Sequence, residues 1–338
     1  MKEKKATYII AEIGNTHEGS VGLAKQFIKA AAECGVDAVK FQTHIFEAES
    51  LQNAPNPPYF KDETRKDYFE RTAFNLDQYK LLKEYAEKEC GVHFFSSPFS
   101  IEAVDLLLNA GIKTFKIPSG EVSNIPMLEY LAEKADWVIL SSGMSSWDEL
   151  DLAVSVLKSK CNLTVLQCTS EYPCLPENSG LNVMREIKER YGVEVGFSDH
   201  TIGIGVPVAA VVLGATVVEK HFTLSKLMYG SDAKNSTEPY EFKNLVTEIR
   251  AIELALNSNI DKNEKVKSLM DMKYIFEKSV VTARNLEAGH IIKLEDLCFK
   301  KPGNGIPAGD YKKVIGTITK SVIFKDTKLS FEDIITSS

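Results

Sequence analysis

One unit recurs along this chain and limits what the chain can fold into. Each copy has a helical stretch, a Gly near its end, and a β-rich run that closes on a polar residue. Cys34-Gly35 through Lys40, Cys90-Gly91 through Ser96 and Ala110-Gly111 through Lys116 follow this plan. Tyr191-Gly192 through Ser198 and Leu213-Gly214 through His221 follow it too. Gly suits the left-handed residue that ends a helix. The β-branched run after it suits a strand buried on both faces. The polar residue then falls at the C-terminal end of the strand.

Strands read this way cover residues 8–14, 38–43, 93–99, 114–120, 137–143, 163–170, 194–200 and 217–224. Helical periodicity fills the gaps, as in 21–32, 76–89, 101–109 and 147–158. Eight alternating βα units in about 250 residues predict an α/β fold of the (β/α)8 TIM-barrel type. The alternative is a doubly wound open sheet, but no Gly-rich nucleotide fingerprint follows the first strand.

At 338 residues the chain is long enough for this barrel and a smaller domain. We expect the barrel over 1–260, a linker over 261–273, and a β-rich domain over 274–338. The polar, Lys-rich stretch 257–268 reads as linker, and short β runs with turns begin near Tyr274. A domain this small has a limited core. The Pro- and aromatic-rich insertion 51–71 reads as either a lid or an oligomer contact.

The 40 Lys and Arg against 47 Asp and Glu give a net charge of −7, which argues against a nucleic-acid binder. An anionic small molecule stays open, because a few Lys residues set the field inside a cleft. The six Cys are scattered without a CxxC pair, so a reducing, cytoplasmic setting is expected. Glu12 interrupts the first apolar stretch too early for a signal peptide. The uncharged stretch 201–218 is long enough to cross a bilayer. Gly203, Gly205, Pro207 and Gly214 make it a loop, a buried helix and a buried strand instead, so no membrane partner is expected.

In such a barrel the chemistry sits at the C-terminal strand ends. There the sequence gathers Glu12, Asn15 and His17; Lys40, Gln42 and His44; Ser96 and Ser97; Lys116, Ser119 and Glu121. It adds Ser141, Ser142, Ser170, Tyr172, Ser198, Asp199, His200 and His221. Buried singly, each polar group would cost about 1–3 kcal/mol, a cost that a shared pocket removes. Lys40 and Lys116 in equivalent units, with hydroxyls nearby, suit a phosphate or carboxylate. Either Lys alone reads equally well as a solvated strand-end residue. His200 and His221 end adjacent strands, within reach of one divalent metal, although two His alone are as consistent with satisfied polar histidines. Glu12, beside the eighth strand in a closed barrel, is a candidate base or further oxygen ligand. His93, at a strand start, belongs to the opposite, stability face.

Taken in order, these segments resemble the sialic acid synthase (N-acetylneuraminate synthase) family, which includes legionaminic- and pseudaminic-type acid synthases. The matching stretches are Ala11-Glu12-Ile13-Gly14 with His17-Glu18-Gly19, Val39-Lys40-Phe41-Gln42-Thr43, and Phe95-Ser96-Ser97-Pro98-Phe99. They continue through Lys116-Ile117-Pro118-Ser119-Gly120-Glu121, Ser141-Ser142-Gly143-Met144 and Cys168-Thr169-Ser170-Glu171-Tyr172-Pro173. Gly196-Phe197-Ser198-Asp199-His200-Thr201 and Glu219-Lys220-His221-Phe222-Thr223 complete them. The tail from Ser279 resembles the antifreeze-like (SAF, β-clip) domain that ends these enzymes.

The resemblance implies condensation of phosphoenolpyruvate with the open-chain aldehyde of an N-acylated mannosamine-type sugar. The products would be a nine-carbon α-keto acid and phosphate. It assigns phosphoenolpyruvate to Lys40, Ser97, Lys116, Ser119, Ser141, Ser170 and Ser198, and Mn²⁺ or Mg²⁺ to His200 and His221. It puts Gln42, Tyr172 and Asp232 against the sugar, Glu121 beside the aldehyde, and Glu12 near the metal and its water. It also implies a homodimer in which each tail covers the partner's barrel mouth. Two residues depart from the pattern. Thr16 stands where many members have Asn. Lys301 stands where members acting on N-acetylmannosamine have an Arg for the N-acyl group, and Lys lacks that planar, two-pronged contact. Two other readings compete: a Schiff-base aldolase using Lys40 or Lys116, and a non-catalytic carbohydrate-binding protein.

Overall fold

The computed structural model describes residues 6–56, 63–230 and 232–335. The basic first five residues and part of the 51–71 insertion lie outside them. The chain divides into two compact units at Ser258/Asn259.

In the first unit the expected strands form, as β1 (Tyr8–Gly14), β2 (Ala38–Thr43), β3 (His93–Pro98), β4 (Thr114–Ile117), β5 (Trp137–Ser141), β6 (Asn162–Cys168), β7 (Glu194–Asp199) and β8 (Val217–His221). They pair in sequence order into a closed barrel, with β8 returning to β1. All the pairs are parallel, and Glu12 lies opposite both Lys40 and His221. Closure removes the open edges that a doubly wound sheet would leave. The barrel is therefore a TIM barrel.

Most strands end sooner than expected. Pro98 closes β3, and Pro118 follows β4; neither can donate to the ladder. The polar residues beyond them sit in loops at the rim, with Ser119–Glu121 in a short 3₁₀ turn.

The helices follow their caps. Ser20 caps Val21–Glu33, and Ser146 with Glu149 forms a capping box on Trp147–Leu157. The helix expected over 76–89 is α-helical for Leu76–Glu84 and then widens into a π-helical turn, Tyr85–Glu89. The apolar stretch 201–218 resolves into the helix Gly205–Val212 and the start of β8. Among the described residues no helix is long and apolar enough to cross a membrane. Apolar side chains such as Ile10, Phe41, Phe94, Phe115 and Phe197 fill the core, all at most 1% exposed.

In the second unit the expected linker is largely helical. Asp261 caps Lys262–Lys267, and Met270–Phe276 follows, so Tyr274 begins no strand. A Lys-rich stretch without an apolar face does not announce such short helices, whose start is set by the cap. Beyond them the fold is β-rich: β9 (Ser279–Thr282) pairs with β10 (Leu297–Lys300), and β11 (Ile318–Thr319) with β12 (Ile334–Ile335). Elsewhere in this unit, Ile291 and Ile323 form only isolated bridges, to Ile318 and Leu286. Val280, Leu286, Ile292, Leu297, Ile306, Val314, Ile323, Leu329 and Ile334 form its own small core.

Candidate active site

Successive strand residues face opposite sides of a sheet, so residues two apart share a face. That parity brings Lys40 and Gln42 of β2, and Glu219 and His221 of β8, to one rim. Lys40 Nζ lies 2.6 Å from Glu12 Oε2 and 3.9 Å from Glu219 Oε1. It also donates to Ser97 Oγ at 3.0 Å. Lys116 Nζ donates to Glu219 Oε1 at 3.0 Å, and the Ser198 hydroxyl reaches the same oxygen at 3.2 Å. Gln42 Nε2 donates to Glu12 Oε1 at 2.9 Å. All four charged side chains are nearly inaccessible.

Burial disfavours charge, and the ion pairs oppose it. Burial pushes the Glu12 carboxyl up; Lys40 tempers this and the neighbouring Glu219 adds to it. Burial works the same way on Glu219, but Lys116 and Lys40 together hold it below the usual carboxylate range. For Lys40 burial works downward, yet Glu12 and Glu219 keep the ammonium above its ordinary value. The two lysines therefore arrive already balanced by carboxylates. Glu219 is the residue that strand-end reasoning missed. It lies two positions before His221, and alternation along β8 would have found it.

The rim opens into a cavity of about 620 Å³, lined by every barrel residue to which the resemblance gives a role: Glu12, Lys40, Gln42, Ser97, Lys116, Ser119, Glu121, Ser141, Ser170, Tyr172, Ser198, His200, His221 and Asp232; His17, Ser96, Ser142 and Asp199, also gathered at the strand ends, do not line it. Ser141 Oγ is buried with no hydrogen-bond partner among the described residues. Ser119 Oγ accepts from the Gly143 N–H at 3.0 Å. A Cβ on Gly143 would lie 2.5 Å from Ser170 Oγ and 2.6 Å from Ser119 Oγ, so only Gly fits between these hydroxyls. On the other side, a Cβ on Gly14 would lie 2.6 Å from Asp232 Oδ2, which places that carboxylate beside the Glu12–Gln42 pair.

The His200 and His221 rings have centroids 5.5 Å apart, with the Tyr172 ring 4.1 Å from His200. The Thr169 carbonyl, 2.7 Å from His200 Nδ1, can only accept. Nδ1 must therefore donate, and Nε2 is left for another partner. Burial lowers His200, but the Cys168 thiol and the Thr169 carbonyl outweigh it and hold the ring above its usual value. Burial and the charges of His200 and Lys40 push His221 well below the ordinary imidazole range. Two imidazoles at this spacing suit one divalent ion. Among the described residues no group of three or more His, Cys, Asp and Glu is placed to hold one. Glu12 lies beside the pair, opposite His221 in the β1–β8 register, with its carboxylate ion-paired to Lys40 and accepting from Gln42.

The other expectations divide. Thr16 closes its own turn, its hydroxyl donating to the Ile13 carbonyl at 2.6 Å. His17 is buried and stacked on Phe74, 4.3 Å between centroids. His93 bonds Tyr8 Oη at 2.6 Å at the N-terminal end of β3, away from the mouth. Lys301 lies in the second unit, its ammonium 5.0 Å from the Phe276 ring centroid. The cavity also takes a wall from His44, gathered with the strand ends, and from residues that sequence reasoning left unassigned: Glu49, Ser50, Arg65, Tyr68, Phe69 and Phe99. Part of the 51–71 insertion thus lines the cavity.

An eight-stranded parallel barrel with a polar, charge-compensated mouth, followed by a small β-rich unit, defines a barrel enzyme with an appended SAF domain. The chain belongs to the NeuB family, whose model matches residues 27–261, and the SAF domain model matches 277–335. It is 41% identical over 325 residues to the N,N'-diacetyllegionaminic acid synthase of Campylobacter jejuni, covering 93% of this chain and 96% of that one. It is 38% identical to the N-acetylneuraminate-9-phosphate synthase of Mus musculus, covering 93% and 90% respectively. Among solved structures it resembles the N-acetylneuraminic acid synthetase of Leptospira borgpetersenii in complex with citrate. There the TM-score is 0.69 at 31% identity, over 79% of this chain and 92% of that chain. The protein is a sialic-acid-synthase-type enzyme.

Proposed function

We propose that this enzyme condenses phosphoenolpyruvate with the open-chain form of an N-acylated mannosamine-type aldose, either N-acetylmannosamine or a 2,4-diacetamido-trideoxy relative. A nine-carbon α-keto acid and phosphate result. The observation that carries this reading is the meeting of Lys40, Lys116 and the imidazole pair at one mouth. The diacetamido sugar is the substrate we favour, since the Campylobacter relative is named for a diacetyllegionaminic acid.

The residues present suit a divalent cation, Mn²⁺ or Mg²⁺, held by His200 and His221. Carboxylates outnumber cations around the cavity: Glu12, Glu49, Glu121, Glu219 and Asp232 face Lys40, Arg65 and Lys116. A multiply charged anion enters such a site more readily when a dication offsets that excess. Bound there, the ion would polarise the aldehyde oxygen as a Lewis acid.

The chain's own groups account for the rest. Lys40 and Lys116, with Ser97, Ser119, Ser141, Ser170 and Ser198, hold the phosphate and carboxylate of phosphoenolpyruvate. Gln42, Tyr172 and Asp232 orient the aldose so that the enol carbon attacks its carbonyl carbon. A carbon–carbon bond forms as the carbonyl π pair moves onto the aldehyde oxygen, which takes a proton from water to become the product hydroxyl, and positive charge develops at the phosphate-bearing carbon. Water adds there and gives up its proton to a carboxylate, Glu12 or Glu121. The tetrahedral intermediate collapses to the ketone as its C–O bond to phosphate breaks. Glu219 aligns the two ammonium groups at the mouth.

We place the enzyme in the cytoplasm as a homodimer, with the SAF domain of one chain over the partner's barrel mouth. The Schiff-base reading on Lys40 is disfavoured, because an ammonium held charged by Glu12 and Glu219 is a poor nucleophile. Phosphate release from phosphoenolpyruvate and Mn²⁺ against a panel of hexosamine aldehydes, with a chelator control, tests the assignment. Release with an N-acylated mannosamine alone, abolished by chelator, is expected. Borohydride trapping of a lysine adduct would replace it with the aldolase.

A further inference from the structure

The segment after β2 builds a side lobe of the cavity whose polar inventory is unlike that of the phosphate-binding rim. His44 is stacked between Phe69 and Phe99, with ring centroids 3.8 and 3.9 Å away. Both its nitrogens are engaged: Nδ1 faces Glu49 Oε1 at 2.9 Å, and Nε2 faces Gln42 Oε1 at 3.2 Å. His44 thus has no donor left for a ligand, while its stacking fixes the Glu49 carboxylate.

Arg65 begins the helix Arg65–Thr72 and lines the same lobe. One of its terminal nitrogens reaches Ser50 Oγ at 3.4 Å. Its Nε is buried and has no hydrogen-bond partner among the described residues. A buried guanidinium N–H without an acceptor is costly, and an incoming oxygen relieves that cost. Glu49 faces the lobe as well, close enough to Glu121 that its charge helps hold the Glu121 carboxyl up. Arg65 supplies a donor, while the Glu49 carboxylate repels a further anion, so the lobe sets two conditions. An uncharged acceptor satisfies both conditions; a phosphate dianion satisfies only the first.

We propose that Arg65 is a specificity-determining residue that binds the carbonyl oxygen of an acylamido substituent on sugar carbons away from the aldehyde, and that Glu49 excludes a phosphorylated sugar. This rests on the aldose reading above. The lobe follows β2 and β3, whereas His200 and His221 end β7 and β8, so a sugar with its aldehyde at the imidazoles extends toward Arg65.

The test compares wild type, Arg65→Met and Glu49→Gln on three sugars: the diacetamido-trideoxy aldose, N-acetylmannosamine and N-acetylmannosamine 6-phosphate. Phosphate release and calorimetric sugar binding are both measured. Arg65→Met should weaken the diacetamido aldose about 10- to 100-fold, mainly through KM, as loss of a charged hydrogen bond predicts. N-acetylmannosamine and the KM for phosphoenolpyruvate should move less than about 3-fold. Glu49→Gln should raise use of the 6-phosphate about tenfold. Equal losses on both unphosphorylated sugars, no loss on either, or an unchanged 6-phosphate rate would overturn the proposal. If no sugar releases phosphate but Arg65→Met still selectively weakens binding of the diacetamido aldose, the synthase reading fails and the subsite stands. If no sugar binds, both fall.

Discussion

Lys116 Nζ donates to Glu219 Oε1 at 3.0 Å, and both side chains are about 95% removed from solvent. The same oxygen is 3.9 Å from Lys40 Nζ, so one carboxylate serves two buried ammonium groups. Removing one partner of a buried pair leaves an uncompensated charge and costs about 3–5 kcal/mol. Glu219→Leu should lower unfolding stability by that order in denaturant titration. An unchanged midpoint would mean that the ammonium groups find water instead.

On the proposed reading, Lys116→Met removes a charge that would hold the enol phosphate. Its kcat/KM for phosphoenolpyruvate should fall by about 100-fold or more, while calorimetric affinity for the aldose stays near wild type. A loss confined to the aldose would move the anion site elsewhere.

Burial raises Glu121, the charge of Glu49 adds to it, and a hydrogen bond from Asn124 only partly offsets them. A raised carboxyl loses its basic form at a higher pH. If Glu121 is the base, the acidic limb of kcat/KM lies above the ordinary Glu value of about 4.3. Glu49→Gln takes away the neighbouring negative charge, so the limb should move to lower pH. A limb that stays in place in that variant would leave Glu12 as the base.

In the second unit, Asp296 accepts from Arg284 Nε at 2.6 Å, the Lys293 backbone N–H at 2.8 Å and His290 Nε2 at 2.7 Å. Burial alone would raise this carboxyl, but these donors outweigh it and hold it at about 2. The stability it confers is therefore complete above the unfolded value of about 3.9 and is lost as pH falls through about 2. Asp296→Asn should destabilise this unit at pH 7 by on the order of 2 kcal/mol, less as the pH approaches 2. Hydrogen exchange of the β9 and β10 amides in the full chain reads this directly, and equal protection at neutral pH would show the cluster to be dispensable.

His221→Ala should abolish both Mn²⁺ binding by calorimetry and metal-dependent phosphate release, with the fold retained by circular dichroism. Near-normal activity in that variant would refute the imidazole pair as the metal site.

The barrel was legible because Gly-terminated helices and β-branched runs recur with the right period, and β1 and β2 end where the pattern puts them. The strand tails were overread. Polar residues after Pro98, Ile117 and Cys168 look continuous with their strands, although the chain has already turned into rim loops. Glu219 escaped because attention fell on the last residue of each strand, whereas the side chain two positions earlier shares its face. Arg65 was marked only as part of the 51–71 insertion, and Glu49 had no signal. They lie in a segment without period, and only folding brings Glu49 to His44 and near Glu121, and Arg65 to Ser50 in the cavity wall.

On the proposed reading, Glu12, Lys40, Lys116 and the imidazole pair, which would serve the chemistry, are anchored on strands of a closed cylinder, whereas most of the wall proposed to meet the sugar's far end hangs from an excursion after β2. Reaction and recognition are thus written on separable lengths of polypeptide. Exchanging that one excursion would be the economical way for a lineage, or an engineer, to redirect the catalyst to a new sugar without disturbing its chemistry.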